Sequence, residues 1–303
     1  MPLFRPNRLT AADFDPEVLK LFDQYVHGAI DRRAFLDKAS RVAAAGGTTA
    51  AALLAALSPD FANAQKVAPN DARLRTERVE IPSTGGHGKI NALVARPVNA
   101  SGPLPVVLVV HENRGLNPHI EDIARRLAID NFIAVAPDAL TPSGGYPGDE
   151  DKARDAFAKL DAAKTREDFV AATTWARTMA GGDGKVGAVG FCWGGGIVNY
   201  IATRSPELVA GVPFYGVAPP LDAVKNIKAE MMMVYAGNDE RVNATWPPYE
   251  AALKAAGVRY SAFTYPGTQH GFNNDTTPRY DEKSAQQAWA RTLALFNRTL
   301  RSA

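Results

Sequence analysis

From residue 66 onward the sequence predicts an α/β fold: a mostly parallel sheet flanked by helices on both faces. Three observations carry this. Short apolar runs alternate with longer segments of helical period. The run Leu104-Pro105-Val106-Val107-Leu108-Val109-Val110 has no polar position, as a strand covered on both faces requires. Stretches rich in proline and glycine, 137–148 and 266–278, follow strands, where an open parallel sheet keeps its ligand crevice.

The elements follow in order. Residues 74–81 read as a strand, with Val79 and Ile81 on one face and Arg78 and Glu80 on the other. A turn, Gly85-Gly86-His87-Gly88, joins it to a second strand at 89–96, forming a hairpin at the sheet edge. Residues 104–110 form the buried strand, 120–130 a helix and 132–136 a strand. Residues 153–180 are largely helical, in one piece or two. A strand at 186–191 leads into a helix at 194–203. Strands at 209–215 and 231–235, a helix at 246–256, a strand at 259–264 and a helix at 281–300 complete the chain.

Residues 1–65 read differently, as an N-terminal arm or an export signal ahead of a catalytic domain at 66–303. Ala43 to Leu57 carries no charge and is too short to span a bilayer as a helix. Charged residues including Arg32-Arg33 precede it, and the small-x-small site Ala62-Asn63-Ala64 follows. That order is the order of a secretory signal, and the paired arginines before Phe35-Leu36 resemble a twin-arginine signal. This reading implies passage through export machinery, a mature start near Gln65 and a periplasmic or exported enzyme. Phe22, Tyr25 and Val26 give 15–28 an amphipathic face, which suits the alternative: a retained arm packed on the domain of a cytoplasmic protein.

Composition narrows the function. With 34 basic and 32 acidic residues the net charge is +2, too small a field to argue for nucleic acid or a membrane surface. The one cysteine forms no internal disulfide and no CxxC site. The five histidines show no HExxH pair, so no metal or cofactor is expected. Oligomeric state is not legible from these features.

Gly190-Phe191-Cys192-Trp193-Gly194-Gly195-Gly196 sits between a strand and a helix. This is the G-x-S-x-G nucleophile elbow with cysteine in place of serine. Bulky neighbours would clash in so tight a turn, and the helix N-terminus favours a thiolate and a developing oxyanion. Asp239 follows the strand at 231–235, and His270 follows the last strand. The chain order is nucleophile, acid, histidine, the order of α/β-hydrolases, and each residue lies at a strand's carboxyl end. The imidazole can take up and return a proton while the carboxylate orients it.

Gly190–Gly195, Asp239 and His270-Gly271-Phe272 together resemble the dienelactone hydrolase family over roughly 79–300. The resemblance implies an α/β-hydrolase that cleaves esters or lactones through a cysteine acyl-enzyme. It also implies a role for Glu112, at the end of the strand 104–110: contacting the thiol, keeping it from ionising at rest and assisting its activation. The backbone N–H groups of Asn113 and Trp193 would form the oxyanion hole. One departure bears on the substrate. The family holds a substrate carboxylate with arginines after the histidine and after the strand 132–136. Here Phe272-Asn273-Asn274-Asp275 and Leu140–Tyr146 lack arginine, and none occurs until Arg279. Arg114 is the candidate replacement, with Tyr146, Tyr215, Phe272 and Asn274 as further candidates for the pocket wall. The alternatives are a carboxylesterase of broad specificity and, in another class, a non-catalytic binding protein on the same scaffold.

Overall fold

The computed structural model describes residues 8–301; residues 1–7 of the arm and 302–303 of the domain lie outside the described residues. The arm comprises α1 (Pro16–Val26), α2 (Arg32–Ala45), α3 (Ala50–Leu57) and α4 (Phe61–Ala64). Each begins where a side chain, Asp15, Asp31, Thr49 or Asp60, accepts from an N–H of the first turn. The uncharged stretch is therefore not one helix: α2 ends before Gly46-Gly47 and α3 restarts at Ala50. Phe14, Val18, Phe22, Tyr25, Phe35, Leu54 and Leu57 bury one another in a small core of the arm's own. No single described helix is long and apolar enough to cross a membrane; α2 with α3 and α4 passes as a pair bent by 104°, by length and composition only.

The domain's strands are β1 (Leu74–Ser83), β2 (Gly88–Pro97), β3 (Leu104–Val110), β4 (Ile133–Pro137), β5 (Gly182–Phe191), β6 (Leu208–Phe214), β7 (Glu230–Asn238) and β8 (Tyr260–Gln269). The helices are α5 (Pro118–Ile129), α6 (Glu150–Phe157), α7 (Ala162–Thr178), α8 (Trp193–Arg204), α9 (Glu240–Asn243), α10 (Trp246–Ala255) and α11 (Glu282–Leu300). They form an eight-stranded sheet of order β1-β2-β4-β3-β5-β6-β7-β8. β1 and β2 are the expected antiparallel hairpin, and β2 meets β4 antiparallel. From β4 to β8 every neighbouring pair is parallel.

The apolar run in β3 divides its residues between two cores. Val106, Leu108 and Val110 face one, with Phe169, Ile197, Ile201 and Tyr249 from α7, α8 and α10. Val107 and Val109 face the other, with Ile120, Ile123, Leu295 and Phe296 from α5 and α11. Side chains alternate across a strand, so one apolar run supplies both faces. The segment expected to be helical at 153–180 is two helices, α6 and α7, separated at 158–161. β7 and β8 run past their expected ends to Asn238 and Gln269, which sets Asp239 and His270 directly at the edge of the sheet.

Candidate active site

Cys192 stands between β5 and α8 with φ +57°, the left-handed region where a side chain other than glycine is strained. Its N–H donates to the Phe214 carbonyl at 3.0 Å, pinning the turn to β6. The flanking glycines are needed for close approach. A Cβ at Gly190 would run into the Gly194 carbonyl, and one at Gly194 into the carbonyls of Val110 and His111. The elbow therefore rests directly on the end of β3, beside the loop that carries Glu112 and Asn113.

Asp239 and His270 are buried, 4% and 5% exposed. Asp239 Oδ2 accepts from His270 Nδ1 at 2.5 Å, while its Oδ1 accepts from the Val242 N–H at 3.2 Å. Two bonds fix the carboxylate, and the carboxylate fixes the ring. The thiol, His270 and a third side chain, His27, converge: their ligand atoms lie within 4.8 Å of one another. His27 Nε2 is 3.3 Å from Cys192 Sγ and 3.3 Å from His270 Nε2. A cysteine and two imidazoles at this spacing are also donors of the kind that hold a thiophilic metal ion.

Burial opposes ionisation of the Cys192 thiol, but the charges and hydrogen bonds of His270 and His27 outweigh it and bring the thiol down to about 6. Burial disfavours the His27 cation; the charge on Cys192 and the carboxylate of Asp23 overcome this and raise it to about 10. His270 is also raised: burial opposes its cation, and the charge on Cys192 with the bond to Asp239 outweighs burial.

The expected residues divide among wall, support and core. Cys192, His270, Glu112, Asn113, Arg114, Tyr146 and Asn274 line a cavity of about 390 Å³. Glu112 Oε2 accepts from Asn274 Nδ2 at 2.8 Å, and His27 Nε2 lies 3.3 Å from Sγ. Arg114 is buried, its guanidinium donating to the Val26 carbonyl at 3.2 Å and to Asn113 Oδ1 at 2.7 Å. Tyr146 donates to Glu150 at 2.9 Å. Tyr215 and Phe272 are fully buried and pack on one another, with the Tyr215 ring 4.9 Å from that of His270. They brace the histidine from behind rather than line the cavity. The Trp193 indole stacks on His111 at 5.4 Å and abuts Phe157 and Phe169, so that residue offers the site its backbone. His111 donates from Nδ1 to the Glu112 carbonyl and accepts the Ala139 N–H at Nε2, which holds it neutral and fixes the loop after β3.

The rest of the cavity was not read from the sequence. Phe22, Tyr25, Val26 and His27 of the arm form its roof, and Arg279 joins its wall. Asn113 Nδ2 donates to the Val26 carbonyl at 2.7 Å, and Arg32 pairs with Asp151 at 2.8 Å, so the arm is bonded to the domain at the cavity rim. The available signal was local: Asp23 and His27 stand four apart on an amphipathic helix that stops at Gly28.

The mostly parallel eight-stranded sheet, the elbow and the acid–histidine pair define an α/β-hydrolase. The dienelactone hydrolase family model matches residues 90–300, and the chain belongs to that family. A second model, YqhI-like, matches residues 6–45. An Escherichia coli protein provisionally named a carboxymethylenebutenolidase is 33% identical over 71% of this chain and 84% of its own length. A similarly named Yersinia pestis protein is 33% identical over 71% and 85%. A crystal structure of a provisionally named dienelactone hydrolase from Klebsiella pneumoniae superposes with a TM-score of 0.66 at 33% identity, covering 74% of this chain and 98% of that one. The chain is accordingly a hydrolase of ester or lactone bonds.

Proposed function

We propose that Cys192, His270 and Asp239 form the catalytic triad and that the reaction passes through a thioester. The observation that carries this is the alignment of Asp239, His270 and the strained Cys192 at three strand ends, with His270 and Cys192 facing one cavity and Asp239 behind the histidine. Sγ attacks the carbonyl of an ester or lactone, and the tetrahedral oxyanion rests on the N–H groups of Trp193 and Asn113. His270 delivers a proton to the departing alcohol or enol. It then takes one from water, whose attack releases the acid and restores the thiolate. Glu112, anchored by Asn274, faces the acyl group from the loop after β3.

The substrate class we infer is an ester or lactone that carries a carboxylate. Arg279 supports this, because its buried Nε and Nη1 have no hydrogen-bond partner among the described residues and it lines the cavity with Cys192. Buried guanidinium donors without a partner call for an anionic acceptor. Arg114 is less available, since Val26 and Asn113 already occupy it. A panel of aryl esters and enol-lactones, with and without a carboxylate, tests both readings. Cys192→Ala should lose all turnover with the fold intact; unchanged activity ends the cysteine mechanism. Equal kcat/KM for charged and neutral substrates would favour the broad carboxylesterase.

We further read residues 8–65 as part of the working enzyme. Cleavage after Ala64 would discard His27 and the cavity roof. N-terminal sequencing of the protein recovered from cell fractions tests this, and an active form that starts at Gln65 overturns it.

A further inference from the structure

His27 has no part in the triad chemistry, yet it is hydrogen-bonded to the reacting atom. The arm is built to hold it there. Its Nδ1 faces two acceptors, the Asp23 carbonyl at 2.8 Å and Asp23 Oδ1 at 3.2 Å, so Nδ1 carries a proton and Nε2 is turned to the cavity. Its backbone N–H closes α1 on the Asp23 carbonyl at 3.1 Å, and Gly28 at φ +77° turns the chain away just behind it. Asn113 and Arg114, from the loop beside the elbow, both clamp the carbonyl of Val26, one residue before it.

The two imidazoles constrain each other. With Nε2 atoms 3.3 Å apart, they cannot both point an N–H along that line. One must donate and the other accept. His270 is tied at Nδ1 to Asp239, so the tautomer able to act as a base has a bare Nε2. That arrangement needs His27 to be the donor.

We propose that His27 is a fourth catalytic residue: it takes the proton released by Cys192, holds Sγ as a thiolate, and passes that proton across the Nε2–Nε2 contact to His270, which delivers it to the departing alcohol or enol and is then neutral to activate water. This rests on the reading of Cys192 as nucleophile. The proton moves from Sγ to His27 Nε2 and the electron pair stays on sulfur; the proton given to the leaving group through His270 is replaced by the one His270 takes from water, which returns to His27, so no further reactant is needed. Asp23 supplies the counter-charge and is itself approached by Arg279 at 3.8 Å. The other charged groups around His27 are His270 with Asp239 behind it, and, in the cavity wall, Glu112, Arg114 and Arg279 with Arg32, Asp149, Glu150 and Asp151 toward the rim.

The test is the rate of Cys192 alkylation by iodoacetamide against pH, measured beside p-nitrophenyl acetate turnover in the parent, His27→Gln and Asp23→Asn proteins. The parent thiol should titrate near 6. In His27→Gln the midpoint should move up toward the ordinary thiol value of about 8.5, and alkylation at pH 6.5 should fall at least about tenfold. Turnover should fall about 100-fold at pH 6.5, recover in part at pH 9, and be partly rescued by added imidazole in His27→Ala. Asp23→Asn should shift the thiol in the same direction by less. Superimposable alkylation profiles for parent and His27→Gln, with matching circular dichroism, overturn the proposal. Alkylation does not depend on any ester being a substrate. A shifted profile in a protein that hydrolyses nothing on the panel would therefore remove the hydrolytic reading and leave the His27 contact supported.

Discussion

The guanidinium of Arg279 lies over the ring of Phe22 at 5.2 Å, so a cation of the catalytic domain is held in place by an aromatic side chain of the N-terminal arm. The ring covers one face of the guanidinium, and its Nε and Nη1 donors have no hydrogen-bond partners among the described residues. If the guanidinium takes a substrate carboxylate, Arg279→Met should lower kcat/KM for a carboxylate-bearing enol-lactone about 30- to 300-fold. That is the scale of a lost charged hydrogen-bonding pair. Phenyl acetate, which has no carboxylate, should change less than about threefold. Equal losses on both substrates would show that Arg279 acts on the fold or on His27 instead.

Asp239 makes its two bonds to different partners, and they separate its roles. Oδ1 holds the Val242 N–H at the start of α9, while Oδ2 holds His270. Asp239→Asn can keep the first bond and still place an amide N–H against His270 Nδ1, which favours the wrong tautomer. The expected result is a fall in kcat on the order of a thousandfold, with KM and thermal stability close to the parent's. A fall of less than about tenfold would mean that Glu240, next in the chain, serves as the acid.

The sheet and the triad were legible because each rests on a local signal. An uncharged strand such as 104–110 can only be buried on both faces. A cysteine between glycines at a strand–helix junction has few conformations open to it. His27 was not legible, because its position depends on where a separate helix docks. That docking is decided by bonds such as Asn113 to the Val26 carbonyl and Arg32 to Asp151, between residues more than 80 apart in sequence. The place of Arg279 is hidden from the sequence for a related reason. It lies nine residues after His270, and only the fold of the intervening loop returns it to the cavity. Tyr215 and Phe272 show the converse: aromatic residues near the site in sequence that the fold spends on the core.

One anchor of that loop is ionic. Asp275 is buried, and its carboxylate meets Arg126 at 2.7 Å, His119 at 3.2 Å and Lys66 at 3.3 Å. Burial alone would raise the carboxyl, but His119, Arg126 and Lys66 outweigh burial and hold it well below the usual carboxylate range. A depressed carboxylate stabilises the folded state at pH above its unfolded value of about 3.9. That contribution is lost as pH falls below this value through the folded one. Asp275→Asn should therefore cost about 3 kcal/mol at pH 7, since it removes the buried carboxylate that holds Arg126 and Lys66 against the loop. It should also flatten the acid limb of stability below about pH 4. Urea unfolding at pH 7, 4 and 3 measures both. An equal loss at all three values would place the effect in packing rather than in charge.

Gly190 and Gly85 offer a contrast that isolates the elbow. Neither has a positive φ, so backbone strain does not separate them. A Cβ at Gly85 meets only Glu167 Cβ at 3.8 Å, ordinary contact at the surface turn before β2. A Cβ at Gly190 meets the Gly194 backbone and Val198 Cγ2 at 2.9 Å. Backbone cannot rotate away as a side chain can, so α8 must shift outward from β5. Gly190→Ala should cost about 3 kcal/mol or more, and Gly85→Ala within about 0.5 kcal/mol of zero. The shift should also tilt Cys192 away from His270, so whatever Gly190→Ala protein folds should alkylate slowly at pH 6.5 while Gly85→Ala matches the parent. A Gly190→Ala protein with parental stability and parental thiol reactivity would mean that α8 does not pack on β5 at the distance described.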